Sequence, residues 1–350
     1  MINEKPILCH VNLATGYRGG ERQTQLLMKQ LSSLGWQQML IARKAGILAQ
    51  RSGSIDNLII YETSLNPLQY FRLLSQADII HLHESRAFLA LWLSKISSDA
   101  PFILTRRVQR YPSLGWLNKN IYSKANAIVT ISDAIGQGIY RLFDLNYTVI
   151  PDAKTSFEFN PEEVKAIRSR VSGDFIVGHI GALDDSHKGQ CQIIEVAQKL
   201  NVSHPNIAFI IVGQGRDYQL FKKQSSGLEN IQFVGQVENV GDYLEAFDMF
   251  LFPSRHEGLG SILLDAMDFA LPVIATDVGG IPEVIEHAVN GFIVQPNAIE
   301  DMIENILRLF SNDDLLQSIG EKNKEKAQAY SVASMSKQYA QIYNKNINHN

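Results

Sequence analysis

The sequence predicts an α/β protein built from two doubly wound domains, and three observations carry that expectation. A chain of 350 residues is long enough for two cores of ordinary size. Short β-branched runs alternate with longer amphipathic stretches along its length, the pattern of parallel strands joined by crossover helices. Glycine-rich turns recur between strand runs and helical runs, and open parallel sheets bind ligands there, beyond the carboxyl ends of their strands.

The first-half strand runs are "ILCHVNL", "NLIIY", "ADIIHLH", "FILT", "AIVTIS" and "YTVIP". Between the first two lies "ERQTQLLMKQLSSLG", in which Leu26, Leu27, Met28, Leu31 and Leu34 form an apolar stripe and Gly35 suits a helix C-cap. The second half reads "DFIVGHI", "NIAFIIVG", "NIQFVG", "MFLFPS", "PVIAT" and "GFIVQP". Residues 151–172 carry prolines and mixed charge without a strand pattern, which suggests an interdomain linker. The expected domains are therefore 1–160 and 172–334. A closing helix, 335–350, with Met335, Tyr339 and Ile342 on one side, is expected to pack back on the first domain.

Composition narrows the class. With 45% hydrophobic and 19% charged residues and a net charge of −4, the chain is globular rather than disordered. No run of 18 apolar residues occurs, and the polar start "MINEKP" does not read as a secretion signal, so a cytoplasmic protein is expected. Cys9 and Cys191 stand in apolar surroundings without metal-ligand spacing and read as core residues. Residues 1–150 hold 16 basic against 9 acidic side chains and the remainder 16 against 27, which gives the halves opposite charge.

Four strings carry candidate chemistry. In "PSRHEGLGSILLDAM" the glycines, Gly258 and Gly260, let the backbone approach a ligand, and the amides of Leu259, Gly260 and Ser261 open a helix with unpaired N–H groups. That is an anion or sugar-hydroxyl site. Glu257 precedes the turn and Asp265 lies one helical turn beyond Ser261, so two acceptors address two parts of one polyhydroxylated ligand. In "GHIGALDDSHKGQ", Lys188 beside Gly189 adds its charge to a helix start and suits a phosphate. "GYRGGERQ" places Gly19 and Gly20 in a turn with Glu21 at the following helix start. "ADIIHLHESRAF" ends a strand with His81 and His83 on one face. The dinucleotide fingerprint G-x-G-x-x-G with its ribose-binding acid is missing, which argues against a nicotinamide dehydrogenase. No D-x-D carboxylate set is present, and no metal is expected.

The stretch "PSRHEGLGSILLDAMDFALPVIATDVGGIPEVIEHAVNGFIV" closely resembles the signature of glycosyltransferase family 4, and the resemblance extends more loosely over nearly the whole chain. It implies a GT-B fold, two Rossmann-like domains facing each other across a cleft, and retaining, metal-independent transfer from a nucleotide diphosphate sugar. In the family's E-x7-E motif the first acid binds donor-sugar hydroxyls and the second the ribose, roles that fall on Glu257 and Asp265, the latter one methylene shorter. Lys188 matches the lysine that binds the donor diphosphate. Ala182, following Gly181, stands where the family has an arginine, leaving His187, Arg216 or Arg255 to supply the missing charge. The resemblance also places Gly19 and Gly20 beside the donor phosphate, His83 (ahead of His81) near the donor sugar, and backbone groups of Gln236 and Val237 against the base. UDP is expected ahead of GDP and ADP, with no other cofactor.

The implied reaction needs charge stabilisation on the leaving diphosphate, from the 258–261 amides and Lys188, and no protein nucleophile. His83, Glu257 and Lys188 are the expected catalytic residues. The acceptor falls to the first domain, where Arg106, Arg107, Arg110, Lys119 and Lys124 are interleaved with Tyr111, Leu114 and Trp116. Such a mixture suits an anionic membrane face or a phosphorylated glycolipid. The expectation is a peripheral enzyme of lipopolysaccharide or polysaccharide synthesis on the inner face of the cytoplasmic membrane, with nucleotide sugar and glycan or lipid-linked acceptor as partners and no nucleic acid. A GT-B sugar-nucleotide epimerase and a transfer-inactive nucleotide-sugar-binding protein are the alternatives.

Overall fold

The computed structural model describes residues 6–64, 67–84, 87, 100–110 and 115–347, without the side chains of residues 67, 68, 71, 116 and 117. The chain divides into two compact units, Met1–Ala153 with Ser331–Asn350, and Lys154–Tyr330.

The first unit holds a parallel sheet of seven strands: β1 (Ile7–Asn12), β2 (Gln37–Arg43), β3 (Leu58–Thr63), β4 (Ile79–Leu82), β5 (Phe102–Arg106), β6 (Ala127–Thr130) and β7 (Thr148–Val149). Their spatial order is β3-β2-β1-β4-β5-β6-β7. β2 is a strand that the hydropathy pattern does not reveal. It opens on two glutamines, and Gln38 is buried because its side chain is spent on hydrogen bonds, so the apolar run is masked at its start.

Alternation sorts the strands onto two faces. Cys9, Val11, Met39, Ile41, Ile80, Leu82, Phe102 and Leu104 pack on one. Leu8, Ile79, Ile103 and Val129 pack on the other, under Leu27 and Leu31 of the helix Gly19–Ser33 and under Met335, Tyr339 and Tyr343 of the helix Val332–Ile347. The closing helix thus belongs to the first unit, with Tyr343 rather than Ile342 as its third buried anchor. Leu34 departs from the expected stripe. The helix Gly19–Ser33 ends before it, and Leu34 is 57% exposed, while Gly35 takes the left-handed conformation that closes the turn.

The second unit holds a parallel sheet of six strands, β8 (Phe175–Ile180), β9 (Ile207–Val212), β10 (Ile231–Gly235), β11 (Met249–Phe252), β12 (Val273–Thr276) and β13 (Gly291–Val294), in the order β10-β9-β8-β11-β12-β13. All six coincide with apolar runs in the sequence, because β8, β9, β11 and β12 are buried at every position. Strands covered by helices on both faces read as continuous apolar runs.

The expected linker is corrected. Residues 154–172 are part of the second unit. The Lys154 amide donates to the Tyr330 carbonyl, the Lys154 ammonium pairs with Asp268, and the Asn160 amide donates to Asp242 at 2.6 Å. Arg168, in the helix Pro161–Arg168, bonds the Ala246 and Asp174 carbonyls and the Asp248 carboxylate. Prolines and mixed charge marked a change of unit here, but Lys154 and Arg168 tie the segment's two ends to the second unit.

Each sheet reverses its strand order once, between β1 and β4 in the first unit and between β8 and β11 in the second. Ligand sites of open α/β sheets lie at such switch points, beyond the carboxyl ends of the strands.

Candidate functional site

At the switch point of the second unit two loops meet. After β8 the chain passes Gly181 and Ala182 into the short helix Asp185–Lys188, then Gly189 and the helix Gln190–Ser203; after β11 it runs through Glu257 to the helix Ser261–Asp268. The Lys188 ammonium pairs with the Glu257 carboxylate and stands over the Phe252 ring, 4.8 Å from its centroid. A Cβ on Gly181 would lie 3.8 Å from Lys188 Cδ, so the lysine stem crosses close above the glycine. The amides of Arg255 and His256 donate to the His187 carbonyl and tie the loops together. Gly258 and Leu259 are buried, and Gly260 in a left-handed conformation caps the helix whose first amides point outward at Ser261.

Gly181, Lys188, Glu257, Gly258, Leu259, Gly260 and Ser261 are thereby brought together. Gln236 and Val237 follow β10, the edge strand two places from β8. Of the three candidates to replace the arginine missing at Ala182, Arg216 is bonded to Asp184 and Ser186, and Arg255 to Asp185 and Asn297. The Ala182 carbonyl accepts from Gln190 instead.

Asp265 acquires a partner that its spacing does not announce. It is 2% exposed, and its two oxygens accept from the Thr155 amide at 2.6 Å and the Thr155 hydroxyl at 3.4 Å. Removing the acceptor leaves a half-buried amide without its partner. Asp265→Ala is expected to cost about 1–3 kcal/mol in urea unfolding, with part of the loss recovered in Asp265→Asn. An unchanged midpoint in both variants would contradict the anchoring role.

In the first unit the corresponding loops follow β1 and β4. His83 is 3% exposed and its Nε2 lies 2.9 Å from Nδ1 of His10; His10 Nε2 lies 3.0 Å from Gln38 Oε1. His81 is enclosed, with Nε2 at 2.7 Å from Thr105 Oγ1 and Nδ1 at 2.6 Å from the Tyr343 hydroxyl. His10, Gln38, Thr105, Tyr339 and Tyr343 were not foreseen around the histidines. The one readable signal was the histidine inside the apolar run "ILCHVN", which falls on the same face as His81. Gly20 opens the helix Gly19–Ser33, and a Cβ on it would lie 3.6 Å from Arg107 Cδ.

The basic segment is corrected. Arg106 is 7% exposed and donates to the Tyr122 hydroxyl and the Arg110 carbonyl; Arg107, its side chain 8% exposed, pairs with Asp152. Neither presents a charge to solvent, whereas Arg110, Lys119 and Lys124 are exposed. Tyr111 and Leu114 lie outside the described residues, as does the side chain of Trp116.

Burial pushes the pKa of His10 in the first unit and of His179 in the second down from 6.5 to about 4. The unfolded chain takes up a proton on each near pH 6.5 while the folded rings stay neutral down to about 4, so the unfolded state binds more protons across that window. This stability is present above pH 6.5 and is lost as pH falls toward 4, by about 3 kcal/mol per ring. Urea unfolding at pH 7 and pH 4 checks it. His179→Gln is expected to flatten the acid limb of the second unit.

Two Rossmann-like halves with these parallel sheets make the GT-B fold, shared with Anabaena Alr3699/HepE in complex with UDP and glucose at a TM-score of 0.84 and 19% identity, over 97% of this chain and 100% of that one. Residues 161–326, within the second unit, match the family model of glycosyl transferases group 1. An uncharacterized glycosyltransferase of Haemophilus influenzae is 28% identical over 170 residues, 47% of each chain. The N-acetyl-alpha-D-glucosaminyl L-malate synthase of Bacillus anthracis is 24% identical over 242 residues, 66% of this chain and 63% of that protein. The matched stretches span less than two thirds of those relatives' lengths.

Proposed function

We propose that the protein is a retaining glycosyltransferase that moves a sugar from a nucleotide diphosphate sugar, UDP-linked by preference, to an acceptor hydroxyl. The observation that carries the reading is the pairing of Lys188 with Glu257 at the switch point of the second sheet, beside the amides that open the helix Ser261–Asp268. A cation and a row of amides meet the charge that develops on the departing diphosphate. The carboxylate beside them accepts from donor-sugar hydroxyls. Asp265 binds the ribose in this reading, at the cost of its bond to Thr155, and the backbone at Gln236 and Val237 meets the base. With the leaving phosphate oxygen taking the acceptor proton on the same face, no pair of carboxylates of the hydrolase kind is required.

The acceptor side is assigned to the first unit, where the resemblance singles out His83, Gly19 and Gly20. A lipid-linked or lipopolysaccharide-core acceptor at the inner membrane face is supported by the excess of basic residues in 1–150 and the exposure of Arg110, Lys119 and Lys124. Among the described residues no helix is long and apolar enough to cross a membrane.

The test is thermal shift of the pure protein against UDP, GDP and ADP, followed by NMR of the anomeric configuration after transfer from the donor so identified. Stabilisation by one nucleoside diphosphate, a reduced donor-sugar response in Glu257→Ala and a retained anomeric centre are expected. Binding with neither transfer nor donor hydrolysis would hand the case to an inactive binding protein.

A further inference from the structure

Among the buried polar atoms of the first unit's described residues that have no hydrogen-bond partner, three belong to two residues near one another: Nδ1 of His83 and Nε and Nη2 of Arg107. Strand register brings the two residues together. β4 and β5 are neighbours with Leu82 opposite Leu104, so His83 stands opposite Thr105. His81 reaches diagonally to Thr105 on their shared face. Alternation carried one pleat further puts Arg107 in the same diagonal relation to His83.

The hydrogen-bond chain fixes what each offers. The Gln38 amide nitrogen donates to the Met28 carbonyl, so its oxygen faces His10 and must accept from Nε2–H. Neutral His10 then has a bare Nδ1, which must accept from His83 Nε2–H. Nδ1 of His83 is left as an open lone pair. Arg107 keeps Nη1 on Asp152 and offers two N–H groups, the edge that grips a carboxylate or phosphate.

The ring nitrogens of His10, His81 and His83 also lie within 4.8 Å of one another, as a metal site would require. A cation there would take one nitrogen from each ring, so it would break one of the two His10 bonds, to His83 or Gln38, and one of the two His81 bonds, to Thr105 or Tyr343, and sit near a guanidinium. An anion with a hydroxyl breaks none of them.

We propose that the first unit binds a hydroxylated oxyanion, a phosphate or carboxylate gripped by Nε and Nη2 of Arg107 beside Gly20, with a neighbouring hydroxyl donating to Nδ1 of His83. Its identification as part of the sugar acceptor rests on the transfer reading; the binding itself does not.

The experiment is calorimetric titration of the full chain with sn-glycerol 3-phosphate and with glycerol, and sedimentation with phosphatidylglycerol or phosphatidylcholine vesicles. Glycerol 3-phosphate is expected to bind and glycerol not. Arg107→Lys, which keeps a cation on Asp152 but loses the two-donor edge, is expected to weaken binding at least tenfold, while its thermal shift with UDP stays that of the wild type. In the wild type, the His83 Nδ1 resonance in a long-range 1H–15N spectrum is expected at the unprotonated position and to move on titration. Arg107-dependent retention on phosphatidylglycerol vesicles identifies a lipid headgroup as the source, and binding of the soluble ester alone a soluble acceptor; either supports the site. Equal affinity in wild type and Arg107→Lys, no binding of either phosphate source, or an Nδ1 resonance indifferent to the ester overturns it. Loss of the UDP response with Arg107-dependent binding intact would refute the donor reading and leave this one standing.

Discussion

Lys188→Ala is expected to lower kcat by about 10²–10³ while leaving the unfolding midpoint almost unchanged. The separation follows from exposure. The Lys188 and Glu257 side chains are 21% and 16% exposed, so water screens much of their attraction and breaking the pair costs about 1 kcal/mol or less. Under the proposed transfer the same ammonium would face the charge building on a leaving diphosphate, where a preorganised cation is worth far more than in the resting protein. The loss should therefore fall on kcat and only weakly on KM for the donor. Glu257→Gln, which keeps a hydroxyl-binding oxygen but no charge, should raise KM for the donor sugar and loosen Lys188 from its place over Phe252. Steady-state kinetics of both variants with urea unfolding in parallel decide it. A Lys188→Ala enzyme with wild-type kcat would remove the lysine from the diphosphate and, with it, the main support of the transfer reading.

The architecture of the second unit was legible because its central strands are buried throughout and read as unbroken apolar runs. Its site was legible because it is local: Lys188 and Glu257 lie in two glycine turns, each following a strand, and the topology only had to bring those turns side by side. The first unit was harder for the opposite reason. β2 begins on Gln37 and Gln38, and the polar letter that weakens its pattern is the residue that orients His10. The doubled arginine of "TRRVQR" looks like surface charge, yet Arg106 is held in place by a hydrogen bond to Tyr122, 16 residues on, and Arg107 is paired with Asp152, 45 residues on. Partners at such separations follow from register, which periodicity alone does not supply. Asp265 shows the same limit. Its helix face was readable, but its bond to Thr155 spans 110 residues.

A large loss of stability is expected at Gly189, because one backbone position there holds both loops of the candidate donor site. Gly189 ends the helix Asp185–Lys188 and caps the helix Gln190–Ser203 at φ +67. A methyl group there would lie 2.1 Å from the Pro253 carbonyl oxygen and 2.3 Å from Nε2 of Gln192. Those two atoms are themselves hydrogen-bonded at 2.8 Å, so the obstacle includes main chain at the end of β11 as well as a side chain that would have to abandon its acceptor. The left-handed conformation costs about 1–2 kcal/mol for a residue with a Cβ, and forcing the contact apart adds about 1–3 kcal/mol. Gly189→Ala should therefore lose about 2–5 kcal/mol. Gly227 supplies the control: it adopts φ +83 with nothing within 4 Å of its Cβ position, so Gly227→Ala should lose only the conformational part. The difference between the two variants in urea isolates the pressure on Pro253. Glu257 lies four residues beyond Pro253 in the same loop, so the folded fraction of Gly189→Ala is also expected to bind the donor poorly, whereas Gly227→Ala is expected to bind it normally. Equal losses in the two variants would mean that the turns are not locked together at Gly189, and that the approach of Lys188 to Glu257 is set by something other than this glycine.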